Sequence, residues 1–404
     1  MSVHITAFGV ISSLGVGIDK STDVLFSAIP PELSSYEKSD GSQAPVRRIS
    51  YDLPMLDKRF SKYECRNNRI ASAILKQIEI SVKAAMDKYG PKEVAVVAGS
   101  STSGLDKTEK AFKYYKTNGN HPDDYNFETQ HSMGSLSEFI AKKVGAEGPA
   151  YTISTACSSA AKAMISAADL IKSGVCKAVI TGGVDTLCDL TVNGFSSLGQ
   201  LSEGRLNSLS KNRSGLNIGE GGALFLFTAE NIENIENLNL VFKGGGESMD
   251  AYHISAPHPE GLGAKLSMER ALKDCSLVPA QISYINLHGT ATKANDAMES
   301  KAVNDVFGSV LCSSTKSFTG HCLGASGAVE AAICCLSLND ELLRLPPHIF
   351  DGEYDEDIEL LEIVKNEETL KPEFFKNGYI YFLSNSFAFG GNNCSIIIEK
   401  KRAS

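Results

Sequence analysis

Two alanine-rich segments about 165 residues apart limit what this chain can fold into more than any other feature. They read "STACSSAAKAM" (154–164) and "TGHCLGASGAVEAAICCLSL" (319–338). Each sets a polar residue in a small-residue turn ahead of a helix whose packing face is Ala and Gly. Such faces let two helices approach closely. A duplicated α/β unit would bring both helix N-termini together at a pseudo-twofold centre. The rest of the pattern agrees. Apolar runs of strand length occur at Val3–Val10, in "KEVAVVAGSSTSG" (92–104), "CKAVITGGVD" (176–185), "ISYINLHGTAT" (282–292) and "GYIYFLSNSFAFGGNNCSIIIEK" (378–400). Helical patterns such as "IASAILKQIEISVKAAMDKYG" (70–90) and "LSMERALKDCS" (266–276) lie between them. Strands alternating with helices predict an α/β architecture.

Bulk properties remove several classes of function. With 42% hydrophobic and 22% charged residues, the 404-residue chain has the composition of an ordinary globular protein. A net charge of −9 argues against a general nucleic-acid binder. No apolar run reaches the roughly 20 residues of a membrane span, and the start of the chain lacks the basic and apolar regions of a secretory signal. The ten cysteines are scattered and form no CxxC pair. We therefore expect neither a disulfide framework nor a metal site, and reduced thiols in a cytoplasmic setting. The acidic stretch 351–368 reads as a solvated connection.

Cys157 sits between a strand pattern and a helix pattern, where helix N-terminal amides favour a thiolate. On its own such a cysteine reads as a small buried packing residue. The helix contributes roughly 0.3–1 kcal/mol, about 2 at best, and so leaves most of the thiol protonated at neutral pH. A useful nucleophile there needs a base or a second cation. Two histidines supply candidates. His288 closes a strand in "NLHGTATKANDAMES"; His321 opens the second alanine-rich helix in "SSTKSFTGHCLGASGAVEA", with Lys316 before it and Glu330 after it. Both lie at strand-to-helix junctions, the edges where α/β sites form.

These segments together resemble the β-ketoacyl-acyl carrier protein synthases, the condensing enzymes of fatty acid and polyketide synthesis. "TACSSA" is similar to their nucleophile motif, "HGTAT" to the first histidine motif, "KSFTGHCLGASGAVE" to the lysine and second histidine motif, and "NSFAFGGNN" to the C-terminal glycine loop. The resemblance implies a thiolase-like five-layered αβαβα fold made of two duplicated halves, residues 1–235 with the nucleophile and 236–404 with both histidines. It implies the elongating Cys-His-His type. Thiolases carry a second catalytic cysteine where this chain reads Phe389-Gly390-Gly391-Asn392, and the CoA-primed synthases use Cys-His-Asn. Cys322 and Cys394, near these motifs, read as packing residues.

The implied roles follow from that resemblance. Cys157 carries the acyl chain, and its amide and that of Phe389 form the oxyanion hole. His288 and His321 hold the enolate formed from malonyl-carrier protein. Lys316 and Glu330 form a supporting ion pair. Thr290 and Thr292 contact the phosphopantetheine arm, Phe389 gates the acyl pocket, and Phe195 is a candidate wall of that pocket or a core residue. No cofactor or metal is implied beyond the carrier-borne phosphopantetheine of the substrates. Expected partners are acyl carrier protein and a second subunit, either a copy of this chain or a ketosynthase paralogue. The stretch 126–154 should lie near that subunit interface. A basic cluster, Lys58, Arg59, Lys62, Arg66 and Arg69, is either a solvated helix face or a docking surface for the acidic carrier protein.

The chain departs from the family pattern in two loops. Lys293-Ala294-Asn295-Asp296 replaces the usual continuation of the first histidine motif, and Asn207-Ser208-Leu209-Ser210 stands where Arg-Pro-Phe-Asp is usual. These departures point to a specialised synthase, with "HGTATKANDAME" and "STACSSAAK" most similar to those of bacterial aryl polyene pathways. The alternatives are a chain-length-factor-like partner without its own activity and a simple cysteine acyltransferase or hydrolase. Retention of Cys157, both histidines and Lys316 opposes the first. The second histidine and Lys316 oppose the second.

Overall fold

The computed structural model describes residues 2–370, 374–375 and 378–402. Apart from a small two-stranded sheet, Ser34–Glu37 with Gln43–Val46, the strands join in one large sheet whose hydrogen-bonded path has two halves with the same internal order. In the first half Val94–Gly99 lies between Ala150–Ile153 and Ala178–Asp185, parallel to both; Gly221–Thr228 and then Val3–Ser12 follow antiparallel. In the second half Ile282–Asn286 lies between Leu311–Ser313 and Tyr379–Phe387, again parallel to both. Asn392–Lys401 and Leu240–Met249 then follow antiparallel. The halves meet where Val3 pairs with Phe242 and His4 with Val241. The internal echo in the sequence is thus the trace of a repeated topology.

Strand periodicity builds the layers. Ala95, Val97, Phe225 and Phe227 face one core, and Val94, Val96, Leu224 and Leu226 face another. In the second half Phe382, Ile396 and Ile398 face the shared core, while Tyr381, Leu383 and Ile397 face a third. Side chains alternate between the two faces, so central strands such as Val94–Gly99, Ala178–Asp185 and Gly221–Thr228 are buried on both. The shared core holds the helices Ser159–Lys172 and Ser326–Asn339, the second of which is buried from Ser326 to Leu338. A helix buried all round must be apolar all round, which explains its run of Ala, Ile, Cys and Leu. Outer helices Arg66–Gln77, Glu79–Tyr89 and Ser135–Val144 cover one half; Leu262–Asp274 and Lys293–Phe307 cover the other. The layering is αβαβα, as the resemblance implies.

Two expectations need correction. The helical pattern at 70–90 breaks at Ile78 (φ −111°, ψ 13°), giving two helices. The break leaves the Gln77 carboxamide paired with the backbone of Val10, accepting from its N–H at 3.0 Å and donating to its C=O at 3.2 Å. The acidic stretch 351–368 is also more than a solvated connection. Asp355 pairs with Arg213, and Asp351 accepts from Asn212 Nδ2 at 2.8 Å and Ser210 Oγ at 3.1 Å. It clamps the unusual loop at 207–213. Among the described residues, no helix is long and apolar enough to cross a membrane. All ten cysteines are unpaired and buried.

Candidate active site

The nucleophile turn begins where Ala150–Ile153 ends. Ala156 takes a left-handed conformation (φ 52°), rare for a residue with a Cβ, and so lifts Cys157 ahead of the Ser159–Lys172 helix. Three donors hold the Ala156 carbonyl: the Ser159 amide at 3.1 Å, Ser159 Oγ at 2.6 Å and Ser101 Oγ at 3.1 Å. Close packing fixes the helix against the sheet. A Cβ on Gly99 would lie 2.4 Å from the Ala160 nitrogen. Beneath the turn, buried Asp185 accepts from Ser100 Oγ (2.7 Å), the Ser101 and Thr102 amides (2.9 and 2.8 Å), Thr102 Oγ1 (2.7 Å) and the Ala325 amide (3.1 Å). One carboxylate therefore ties the nucleophile turn to the turn of the second histidine.

The two histidines arrive from the second half. His288 follows the strand Ile282–Asn286, its amide and that of Gly289 each donating to Glu299 at 2.8 Å. His321 follows the short helix Lys316–Thr319. Its Nε2 lies 3.0 Å from Cys157 Sγ, and its ring stands edge-on to that of His288 with centroids 5.3 Å apart. A ligating atom from each of Cys157, His288 and His321 lies within 4.8 Å of the others. Residues 131 positions apart in the sequence therefore meet at one point, as the motifs require.

The protons on these rings are fixed by their neighbours. The Leu323 amide, which can only donate, points at His321 Nδ1 from 3.1 Å. The neutral ring therefore carries its proton on Nε2, facing Cys157. Lys316 Nζ lies 3.4 Å from His288 Nδ1 and pairs with Glu330. An ammonium donates only, so His288 also presents its Nε2 proton to the pocket. Burial first, and then the Lys316 charge, hold both histidines well below the usual imidazole range. They stay neutral at physiological pH. Burial pushes the Cys157 thiol up to about 11, against the opposing pull of Lys316 and of the Phe389 and Cys157 amides, both directed at the sulfur. Desolvation thus outweighs the helix effect expected from the sequence. Burial also raises Glu330 and Glu299 to about 7.

These groups form the floor of a cavity of about 150 Å³. Phe195 and Phe389 stack at 5.3 Å across it, and Phe195 both lines the cavity and packs against the core around Leu187, Val192 and Leu216. Thr290 and Thr292 line its mouth with their hydroxyls 3.1 Å apart, and Thr292 also caps the Lys293–Phe307 helix. Gln200 and Ser255–Pro257 line it too, with no signal in the sequence to mark them. Asp185, Glu299 and Asp296 went unread as well. Asp296 accepts from the Ala291 and Leu209 amides and from Ser208 Oγ, joining the two unusual loops. An acid closing the buried strand "AVITGGVD" was the available sign for Asp185. Cys322 and Cys394 are buried packing residues.

The basic cluster divides. Lys58, Arg59 and Lys62 are exposed on the turn Lys58–Tyr63. Arg66 instead donates twice to buried Glu220, at 2.8 and 2.6 Å, and Arg69 pairs with Glu64. These two arginines are held within the fold, so charge reversal there would disturb folding before it reported on docking.

Comparison with known proteins agrees with this geometry. Residues 2–231 match the family described as "Beta-ketoacyl synthase, N-terminal domain", and residues 240–349 match "Beta-ketoacyl synthase, C-terminal domain". The chain is 31% identical over 324 residues to 3-oxoacyl-[acyl-carrier-protein] synthase 2 of Staphylococcus aureus strain N315, covering 77% of this chain and 76% of that protein. It is 30% identical over 358 residues to the synthase 2 of Synechocystis, covering 85% and 84%. Among solved structures it is similar to a chain of the ketosynthase ApeO in complex with its chain length factor ApeC from Xenorhabdus doucetiae. That match has a TM-score of 0.90 and 38% identity, covering 100% of this chain and 98% of that one.

Proposed function

The chain belongs to the β-ketoacyl synthase family, and from that premise we propose that it condenses an acyl group held on Cys157 with a malonyl unit carried by acyl carrier protein. It is an acyltransferase of the 3-oxoacyl-acyl carrier protein synthase type. In the first half-reaction Cys157 sulfur adds to the acyl thioester carbonyl. The oxyanion accepts from the Cys157 and Phe389 amides, and the carrier thiol leaves with the proton lost by Cys157. In the second, malonyl-carrier protein loses carbon dioxide, and the electron pair of the broken C–C bond passes into an enolate. The Nε2 protons of His288 and His321 face that enolate oxygen. The carbanion attacks the Cys157 thioester, forming the C–C bond as the C–S bond breaks; the sulfur leaves as a thiolate and takes a proton from solvent to restore the thiol.

The observation that carries this reading is the convergence of Cys157, His288 and His321 beneath the Phe195–Phe389 pair. Both imidazoles are neutral donors, which suits enolate stabilisation and is more than acyl transfer alone needs. Lys316 orients His288 and, with Glu330, sets the local potential. We assign Thr290 and Thr292, which line the cavity, to the phosphopantetheine arm. We assign residues 1–235 and 236–404 as the duplicated halves, in accord with their repeated strand order.

Exposed Lys58, Arg59 and Lys62 are our docking surface for the acidic carrier protein. The second subunit would join along Ala150–Ile153, the exposed edge of the first half, with the 126–154 stretch beside it. Similarity to the ApeO–ApeC complex supports a paralogous chain length factor as that subunit and an aryl polyene or polyketide chain as product. The ten unpaired thiols suit the cytoplasm. The test is to incubate the protein, alone and with a co-expressed paralogue, with acyl-carrier proteins and malonyl-carrier protein. Mass spectrometry should show an acyl adduct on Cys157, released carbon dioxide and an extended β-keto product. Acylation without carbon dioxide release would replace this reading with an acyltransferase.

A further inference from the structure

Ser326 is the first residue of the Ser326–Asn339 helix, and only 2% of its surface is exposed. Its Oγ lies 2.8 Å from His321 Nδ1, the nitrogen that already receives the Leu323 amide at 3.1 Å. That amide can only donate, so Nδ1 holds a lone pair and no proton. A hydroxyl beside an unprotonated nitrogen must donate to it. We propose that Ser326 is a positioning residue for the condensation reaction: with the Leu323 amide it clamps His321 Nδ1 between two donors and keeps the Nε2 proton aimed at Cys157.

This inference rests on the condensing role proposed above and adds a residue to it. The groups around His321 show what the serine contributes. Cys157 faces Nε2 from the nucleophile turn, and His288 faces the ring edge from the opposite turn. Lys316 opposes protonation of His321 through its charge. Glu330 lies behind Lys316, and Asp185 accepts from the amide of Ala325, next to Ser326. Burial and the Lys316 charge both oppose an imidazolium at His321. Protonating Nδ1 would turn two inward-pointing donors against a third. The serine therefore acts with burial and the Lys316 charge to hold the neutral form, and with the Leu323 amide it selects the tautomer whose proton is on Nε2.

The test compares the full chain with S326A and S326T, measuring carbon dioxide release from malonyl-carrier protein from about pH 5 to about pH 8. Loss of one donor should lower kcat about fivefold with KM unchanged. It should also move the acid limb of the profile to higher pH, because Nδ1 becomes more basic. S326T keeps the hydroxyl and should restore both. A variant S326A with wild-type kcat and acid limb overturns the proposal, as does S326T behaving like S326A. Should S326A fold poorly, ¹⁵N NMR of the histidine-labelled wild-type protein decides. A bare Nδ1 and protonated Nε2 on His321 is expected, and a protonated Nδ1 refutes the clamp. A wild-type protein that releases no carbon dioxide refutes the condensing role instead, and the NMR result still stands.

Discussion

At the scale of single residues, burial is the strongest force on the nucleophile. A thiol pushed up to about 11 has roughly one part in ten thousand as thiolate at neutral pH. Alkylation of Cys157 by iodoacetamide should therefore rise about tenfold per pH unit from neutral to mildly alkaline pH, without a plateau near the usual thiol value. Lys316 is the largest influence pulling that value down, so K316M should slow alkylation at fixed pH. Faster alkylation in K316M would reverse the assigned sign. Cys157 and the histidine pair also separate functionally. C157A removes the sulfur and leaves His288 and His321 with their Nε2 protons in the pocket. The variant should form no acyl adduct yet still decarboxylate malonyl-carrier protein, while H288A and H321A should each lose carbon dioxide release by at least about tenfold. Equal loss of decarboxylation in C157A would place the sulfur in a step where the geometry gives it no part.

At the scale of elements, the motifs were legible and the joints between them were not. Strand runs, the Ala-rich helices and the positions of Cys157, His288, His321 and Lys316 follow from pattern and resemblance. Side chains that fix one element to another carry no periodic signal, so Asp185, Glu299 and Asp296 were missed. Gln77 shows the cost of reading local propensity alone. Its residues favour a continuing helix, yet the helix ends there and the carboxamide completes the backbone pairing of Val10. Q77A should leave the Val10 N–H without its acceptor, while its C=O still accepts from the Gly17 amide at 2.9 Å, and destabilise the fold by about 1–3 kcal/mol, read as a lower denaturation midpoint at unchanged m-value. The basic turn makes a second distinction. K58E/R59E/K62E changes only exposed cations, so it should weaken carrier-protein binding several-fold at low salt, less at high salt, with thermal stability preserved. R66E would instead strand the fully buried Glu220 carboxylate, and such broken pairs cost about 3–5 kcal/mol. If the triple variant binds as tightly as the wild type, the docking surface lies elsewhere.

At the scale of the whole molecule, two copies of one topology close over a shared helical layer, and the site forms where their turns meet. That closure buries ionisable groups from both halves, so the stability of the fold is tied to pH. His348 gives the clearest case. It sits beside the unusual 207–210 loop, accepting from the Ser314 amide at Nδ1 (3.1 Å) and placing Nε2 3.1 Å from the Ser208 carbonyl, to which it donates. Burial lowers it from 6.5 to about 4. A histidine with a depressed value contributes stability that is fully present above 6.5 and is lost as pH falls toward 4. Over that window the unfolded chain takes up a proton that the native state refuses, which amounts to about 3 kcal/mol at full extent. Glu299 and Glu330 run the other way. Raised to about 7 from 4.5, they contribute stability below 4.5 that fades as pH rises through 7. The opposed signs flatten the overall profile, so only the difference between wild type and a single variant isolates one group. H348Q places a neutral amide in the same cleft. It should be less stable than wild type at neutral pH, because two well-directed bonds are disturbed, and its deficit should shrink as the pH approaches 4. Paired urea titrations at about pH 7 and about pH 4.5 measure this directly. A deficit that is constant across that range would mean that native His348 takes up its proton at the ordinary 6.5, as the unfolded chain does, against the burial and the Ser314 amide at Nδ1.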